Sequence, residues 1–334
     1  MNIKSLLLGS AAALAAVSGA QAADAIVAVE PEPMEYVRVC DAFGTGYFYI
    51  PGTETCLKIG GEIRATIYAN ETAVTDDGDD WESEVRARLT VEAKNDSELG
   101  TIASYIRIQA TQSAALDRAA VVLDQAHITV GGFKVGRSLT WADDWGLEGE
   151  SDGFFNNAKF NMMSYTYATD AFTVGLGIDD LSDIYVGNEV GLEGVVSGSF
   201  GAATVTVNGV YDFADEEGGI GGVLTADIGP GTLGIAGAWA SGYATGYDFA
   251  AEWTVGAAYT FKATDKLKIT PQVMYYGDVA DSGVFTSDDA WAADLYIEYA
   301  LAEGLKASAD IRYVDVDGSD DGNWDGFVRL TRSF

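Results

Sequence analysis

From residue 57 to the end of the chain, apolar and polar residues alternate in stretches of about ten residues, each followed by a break. In the stretch 251–262, Trp253 and Val255 fall on one face, whereas Glu252 and Thr254 fall on the other. A period of two is the pattern of a β-strand, because successive side chains of a strand point to opposite sides. The alternation therefore predicts an all-β chain.

The breaks between these stretches are alternately short and long. The short breaks include 131–132, 169–170, 229–231, 263–266 and 302–304, and the long breaks include 70–80, 140–160, 179–188, 277–288 and 315–323. Tight turns at one end of the strands and long loops at the other are typical of barrels that cross a bacterial outer membrane. The pattern predicts a transmembrane up-and-down antiparallel β-barrel over residues 57–334, with short periplasmic turns and long extracellular loops.

The number of stretches predicts about sixteen strands. Glycine blurs the alternation between residues 187 and 240, so fourteen or eighteen strands also fit this part of the sequence. A soluble β-sandwich or a secreted β-solenoid is the alternative fold. The barrel is favoured because an apolar face lies opposite a polar face on nearly every strand, as lipid outside and water inside require.

The chain begins with features of an export signal. Lys4 precedes an apolar run over residues 6–17, and Ala20 and Ala22 follow with the spacing of a cleavage site. The apolar run is shorter than the ~20 residues that a membrane-spanning helix needs. Residues 1–22 are therefore predicted to be a signal peptide, and residues 23–56 a periplasmic segment that precedes the barrel.

Two cysteines, Cys40 and Cys56, are the only ones in the chain. An even number of cysteines in an exported protein predicts a disulfide bond between them, since the periplasm is oxidising. Two free buried thiols are the alternative.

Composition and charge exclude several classes of function. The net charge of −32 disfavours nucleic acid and anionic lipid surfaces as partners, whereas 48% hydrophobic residues disfavour a disordered chain. His127 is the only histidine, and no Gly-x-Ser-x-Gly motif surrounds a serine, so we predict no enzymatic site, metal or cofactor. The acidic runs 76–80 and 315–321 are either solvated loops or weak calcium sites.

Three segments resemble the porins of α-proteobacteria, namely 35–61, 123–137 and 326–334. The resemblance implies a sixteen-stranded barrel in the bacterial outer membrane, assembled as a homotrimer, that conducts ions and small hydrophilic solutes. Phe334 resembles the terminal aromatic signal that barrel-assembly machinery recognises, although Arg332 departs from the apolar pattern of that signal. A substrate-specific channel, for example for sugars, and a structural or adhesive surface barrel are the alternative functions.

The resemblance also implies that the third long loop, 140–160, folds into the pore and narrows it. Its acidic residues are Asp143, Asp144, Glu148, Glu150 and Asp152. Because these acids outnumber the basic residues expected in the lumen, we predict a weak preference for cations.

The resemblance further implies a basic wall opposite this loop. Strand parity points Arg64, Arg86, Arg88 and Arg107 into the lumen, and an arginine facing lipid would cost ~2–4 kcal/mol. Arg137 resembles the wall arginine of general porins, although alternation groups it with the apolar residues before it and its inward direction would require a break at Gly136. Ordinary lumen polarity without a selective role is the alternative for all five arginines.

Overall fold

The computed structural model describes residues 38–70, 81–113, 119–143, 147, 149, 153–319 and 322–334. The predicted signal peptide lies outside these residues. Within them, no helix is long and apolar enough to cross a membrane.

The described residues form eighteen β-strands. They are β1 Phe48–Tyr49, β2 Cys56–Asn70, β3 Trp81–Asn95, β4 Ile102–Ser113, β5 Ala120–Val130, β6 Phe133–Leu139, β7 Lys159–Ala168, β8 Phe172–Asp180, β9 Val190–Phe200, β10 Ala203–Asp212, β11 Glu217–Ile228, β12 Gly231–Ala240, β13 Ala251–Lys262, β14 Leu267–Asp281, β15 Val284–Phe285, β16 Ala290–Ala302, β17 Leu305–Val316 and β18 Asn323–Ser333. The strands β1 and β15 contain two residues each, and the other sixteen build the barrel.

Every barrel strand pairs antiparallel with the next one along the chain, and β18 pairs with β2, which closes the sheet. In the closing ladder, Val328 lies opposite Ile67 and Leu330 opposite Ala65. A closed sheet leaves no unpaired edge, as a structure surrounded by lipid requires. The prediction of an up-and-down barrel with sixteen strands is confirmed.

The chain terminus completes this closure. The backbone N–H of Phe334 donates to the carbonyl of Gly61 at 3.0 Å, and the N–H of Gly61 donates to the carbonyl of Phe334 at 3.1 Å. The Phe334 ring lies against Gly61 and is exposed, on the same face as Leu330. The role of this residue as an assembly signal stays a prediction.

The two faces of the strands differ as the alternation predicts. On β2 and β3, Ile63, Ile67, Val85 and Leu89 are exposed on the outer face, where lipid would cover them. On β11, β12 and β13, the inner face instead carries small residues, among them Gly219, Gly221, Gly234, Ala236 and Ala258. This run of small inner residues is why glycine obscures the alternation there.

The predicted disulfide bond joins Cys40 to Cys56, with 5.9 Å between their Cα atoms, and both residues are buried. It fastens the segment before the barrel to the first residue of β2. Tyr47 of the same segment is buried as well, and its hydroxyl donates to the carboxylate of Glu92 on β3. The segment is thus held to the barrel by a covalent bond and by a hydrogen bond.

Replacing Cys40 and Cys56 together with serine should release this segment without opening the barrel. A disulfide that closes a loop of ~15 residues stabilises by roughly 3 kcal/mol, so its loss should let residues 38–55 detach locally. Limited proteolysis followed by mass spectrometry should then show new cleavage in this segment alone. An unchanged cleavage pattern would contradict the expected stabilisation.

Candidate functional site

Three arginines converge on one carboxylate inside the barrel. Glu62 and Arg64 lie on β2, opposite Arg88 and Arg86 of β3. The Glu62 carboxylate is 2.9 Å from Nε of Arg64, 3.6 Å from Nη1 of Arg88 and 3.7 Å from Nη2 of Arg86. One negative charge faces three positive charges, so this part of the wall keeps an excess of positive charge.

The wall continues onto the neighbouring strands. Arg88 donates from Nε to Oε1 of Gln109 on β4 at 2.7 Å. Arg107 of β4 forms an ion pair with Asp124, which also pairs with Lys159 at the start of β7. A shift in the β4–β5 register makes Asp124 the extra residue of β5 beside Arg107. The four arginines predicted from parity are therefore neighbours on adjoining strands.

Arg137 does not belong to this wall. It pairs with Ala126 and Asn161 in the ladder, on the face of β6 that carries exposed Phe133 and Val135. Gly136 has a φ of 131°, yet the register continues unbroken through it. The guanidinium of Arg137 lies 3.4 Å from Asp183, in the loop after β8. The prediction that Arg137 lines the constriction is wrong, because strand parity holds across Gly136.

The predicted basic wall left out two further arginines of the inner face. Arg329 of β18 donates to the hydroxyl of Thr66 at 3.2 Å, and Arg312 of β17 pairs with Asp325 at 2.9 Å. Both alternate with outward apolar residues, so parity alone could have found them. Their nearness to the first arginines follows only from barrel closure, which places β18 beside β2.

The loop that begins at residue 140 is fastened to the opposite inner wall. The N–H of Trp141 donates to the buried carboxylate of Glu193 on β9 at 3.0 Å, and its carbonyl accepts from the Asn208 amide on β10 at 2.9 Å. The Lys134 ammonium lies 5.9 Å from the Trp141 ring centroid. These contacts turn the start of the loop inward.

The middle of the loop packs on the small inner residues. Leu147, Phe154 and Phe155 are buried, and a Cβ at Gly234 would lie 2.9 Å from Cδ2 of Leu147. A Cβ at Gly219 would lie 3.1 Å from Cε1 of Phe155. Glycine and alanine on these strands thus leave room for the loop. The prediction that the third loop folds into the barrel is confirmed for its described residues.

Of the five acidic residues predicted to line the constriction, only Asp143 lies in the described part of the chain. Asp143 is exposed, and its N–H donates to the carbonyl of Thr140 at 3.4 Å. Asp144, Glu148, Glu150 and Asp152 lie outside the described residues. Their position opposite the arginines stays a prediction.

Inside the barrel, the loop contributes to an apolar cluster of buried side chains. Its larger members are Leu147, Phe154, Phe155, Phe160, Leu181, Tyr247, Phe249 and Met274. Apolar packing of this kind excludes water and leaves little space for a polar solute. The two sides of the interior therefore differ: the loop fills one side, and partly exposed arginines line the other.

The titration of Tyr243 tests the structure of the loop between β12 and β13, in which this residue lies. Its hydroxyl donates to Asp248 at 2.5 Å, and burial together with this bond raises the pKa of Tyr243 to about 12. In the unfolded chain a tyrosine titrates near ~10, so the stability from this bond is complete below that pH and is lost as pH rises through about 12. Ultraviolet titration of phenolate should show this late step and its absence in Tyr243→Phe. Identical curves would contradict it.

No group of three or more His, Cys, Asp or Glu side chains is placed to hold a metal ion in the described part of the chain. The acidic run 76–80 and part of the run 315–321 fall outside it.

Comparison with known proteins places this chain among bacterial outer-membrane proteins. A family model described as "Porin subfamily" matches residues 24–328. The chain is 44% identical to the putative outer membrane protein y4fJ of Sinorhizobium fredii, covering 100% of this chain and 99% of the relative. It is 41% identical to outer membrane protein IIIA of Rhizobium leguminosarum bv. viciae, covering 100% and 95%. It is 31% identical to porin Omp2b of Brucella canis, covering both chains fully.

Solved structures share the fold at low sequence identity. The trimer form of OmpT from Vibrio cholerae superposes with a TM-score of 0.64 at 17% identity, over 84% of this chain and 100% of that one. A triple mutant of Rhodopseudomonas blastica porin gives a TM-score of 0.60 at 16% identity, over 83% and 100%. The resemblance to α-proteobacterial porins is confirmed by the relatives in Rhizobium and Brucella. This chain therefore belongs to the porin subfamily and is an outer-membrane β-barrel protein.

Proposed function

We propose that this protein is a passive channel through which ions and small hydrophilic solutes diffuse across the outer membrane. The observation that carries the proposal is that the two sides of the barrel interior differ. An inward-folded loop packs against one side, and arginines face the space that remains on the other. A charged wall in a narrow passage orders water and screens solutes by charge and size. The family and the fold are those of a channel rather than an enzyme.

Purified protein in planar lipid bilayers should produce stepwise increases of conductance. The current should increase in proportion to the salt concentration, and no particular solute should reduce it in a saturable way. Absence of steps in correctly folded protein would refute the channel, because a structural or adhesive barrel has no need to conduct. Saturable block by a sugar would instead support the substrate-specific alternative.

We further propose a weak preference for cations. The acidic residues of loop 140–160 are predicted to face a wall whose arginines are already paired in part with Glu62, Asp124 and Asp325, and the whole chain carries a net charge of −32. Fixed negative charge raises the local concentration of cations. Reversal potentials in a salt gradient would measure this preference, and an anion-favouring sign would refute it.

The same proposal includes assembly as a homotrimer. An apolar depression of about 590 Å³ lies on the outer surface where β18 meets β2, lined by residues such as Ala65, Ala307, Ala309 and Leu330. Small residues let a neighbouring barrel approach closely within the bilayer. Light scattering of the protein in detergent should give the mass of three chains, and the mass of one chain would overturn the proposal.

A further inference from the structure

A second loop, 241–250 between β12 and β13, contacts the third long loop inside the barrel. In the structure the third loop comprises residues 140–158 between β6 and β7 and is called the pore loop from here on. The N–H of Asn156 donates to the carbonyl of Asp248 at 3.1 Å, and that of Asn157 to Tyr247 at 3.1 Å. The N–H of Ala250 donates to the carbonyl of Phe154 at 2.9 Å. Backbone bonds therefore run in both directions between the two loops.

Aromatic side chains reinforce this contact. Phe155 and Phe249 form an isolated antiparallel bridge, and their ring centroids are 5.5 Å apart. The ring of Phe249 also stacks on Phe154 at 5.7 Å, and Tyr247 meets Phe160 edge-on at 5.4 Å. All five rings are buried. The apolar face of the pore loop is therefore covered by loop 241–250 in addition to the barrel wall.

Loop 241–250 is itself fixed to the barrel. The Tyr247 hydroxyl donates to Asp179 on the inner face of β8 at 2.8 Å, and the N–H of Gly246 donates to Asp212 at the end of β10 at 3.0 Å. Both carboxylates are fully buried. Asp212 also accepts from the Tyr185 hydroxyl at 2.6 Å, which ties in the loop after β8. Buried hydrogen bonds to charged acceptors are the strong ones, so this anchorage is firm.

We propose that loop 241–250 is a second determinant of pore width, which acts by holding the pore loop 140–158 against one wall of the barrel. The inference rests on the proposed channel function. The first residues of the pore loop have their own anchors at Glu193 and Asn208, whereas the segment around Phe154 and Phe155 bonds its backbone to loop 241–250. Without that partner, two phenylalanine rings would face lumen water, and the pore loop would leave its present position.

Single-channel recording of Phe249→Ala tests this proposal. Removing the ring takes away the shared packing partner of Phe154 and Phe155, so we expect a higher mean conductance with more frequent current fluctuations than in wild type. Tyr247→Phe should have a smaller effect of the same sign, because it keeps the ring and loses the hydroxyl bonds to Asp179 and to the Leu192 carbonyl. Phe200→Ala is the matched control: it removes an exposed phenylalanine ring at the end of β9, which belongs to neither loop, and it should conduct as wild type does.

A cysteine pair at the Phe155–Phe249 bridge covers the event that Phe249→Ala folds poorly. Cα atoms of antiparallel partners lie ~4.5–5.5 Å apart, which suits a disulfide, and the two native cysteines are already bonded. Oxidation should cross-link the pair and lower current fluctuations, and reduction should restore them. Failure of cross-linking, or wild-type conductance in Phe249→Ala, would overturn the role of the loop while leaving the channel intact. Absence of conductance in wild type would instead refute the proposed function.

Discussion

Replacing Arg86 and Arg88 together with glutamine is expected to shift the channel strongly towards cations. The change removes two of the three positive charges around Glu62 and leaves that carboxylate with Arg64 alone. A wall charge ~8 Å from a passing ion contributes roughly 1–2 kcal/mol at an effective dielectric constant of about 20–40, before screening by salt. Loss of two such charges should change the cation-to-anion permeability ratio several-fold, as read from reversal potentials in a potassium chloride gradient.

The matched control for this experiment is Arg137→Gln. It also replaces a positively charged arginine with a neutral glutamine. However, Arg137 lies on the outer face of its strand beside Asp183, away from the arginine wall. We expect its reversal potential to equal that of wild type. If the double variant also kept the wild-type reversal potential, the arginine wall would have no part in selectivity. If Arg137→Gln shifted the potential as strongly, the assignment of its face would be wrong.

The barrel and its basic wall were predictable because lipid and water impose opposite chemistry on alternate residues. Ile63 and Arg64 are neighbours in the chain, yet one needs lipid and the other needs water, so their directions follow from sequence alone. The same rule directs Arg86 and Arg88 inward on β3, where they alternate with the exposed residues Val85 and Leu89. It also accounts for Arg137, whose parity was evident before the structure and conflicted with the family resemblance.

The alternation fails where the inner face does not meet water. Gly219, Gly234 and Ala236 face inward without polar side chains, because the pore loop and its apolar cluster cover them. Where both faces of a strand are covered, one by lipid and the other by protein, apolar and polar residues need not alternate, so the inner face cannot be identified from the sequence. Sequence could not pair Phe155 with Phe249 either, since their contact depends on how two distant loops fold into one interior. The lack of polar residues on the inner faces of β11 and β12 is therefore the sequence feature that marks where the pore loop packs.

The arginine wall and the opposite wall therefore have different functions. The arginine wall keeps charged groups partly solvated and only partly neutralised, with one Glu62 among three guanidinium groups. The opposite wall buries the carboxylates of Glu193 and Asp179 and uses them as hydrogen-bond acceptors for Trp141 and Tyr247. Charge on the first wall acts on solutes, whereas buried carboxyl groups on the second wall hold the loops by hydrogen bonds. Substitutions on the two walls should accordingly change selectivity and conductance separately.

Glu193→Ala combined with Asn208→Ala should detach the start of the pore loop and increase conductance. The carboxylate of Glu193 accepts from the N–H of Trp141, and the Asn208 amide donates to its carbonyl, so the double variant leaves both backbone groups of Trp141 unpaired. A hydrogen bond contributes about 0.5–1.5 kcal/mol, and leaving a buried polar group unpaired costs about 1–3 kcal/mol. Local opening should therefore become roughly a hundredfold more frequent, at ~1.4 kcal/mol per tenfold change. Hydrogen exchange of the Trp141 amide should accelerate by that factor, and single-channel conductance should rise.

Glu193→Gln keeps a hydrogen-bond acceptor in place of the carboxyl group. The glutamine oxygen can still accept from Trp141, so exchange should accelerate much less than in Glu193→Ala. The two single alanine variants complete a double-mutant cycle, and because Glu193 and Asn208 bind the same peptide of one residue, their effects should be coupled. Slow exchange and unchanged conductance in the double variant would show that the loop is held by its apolar cluster alone. Fast exchange with unchanged conductance would show that the start of the loop moves without widening the passage, which would leave pore width to the segment that loop 241–250 covers.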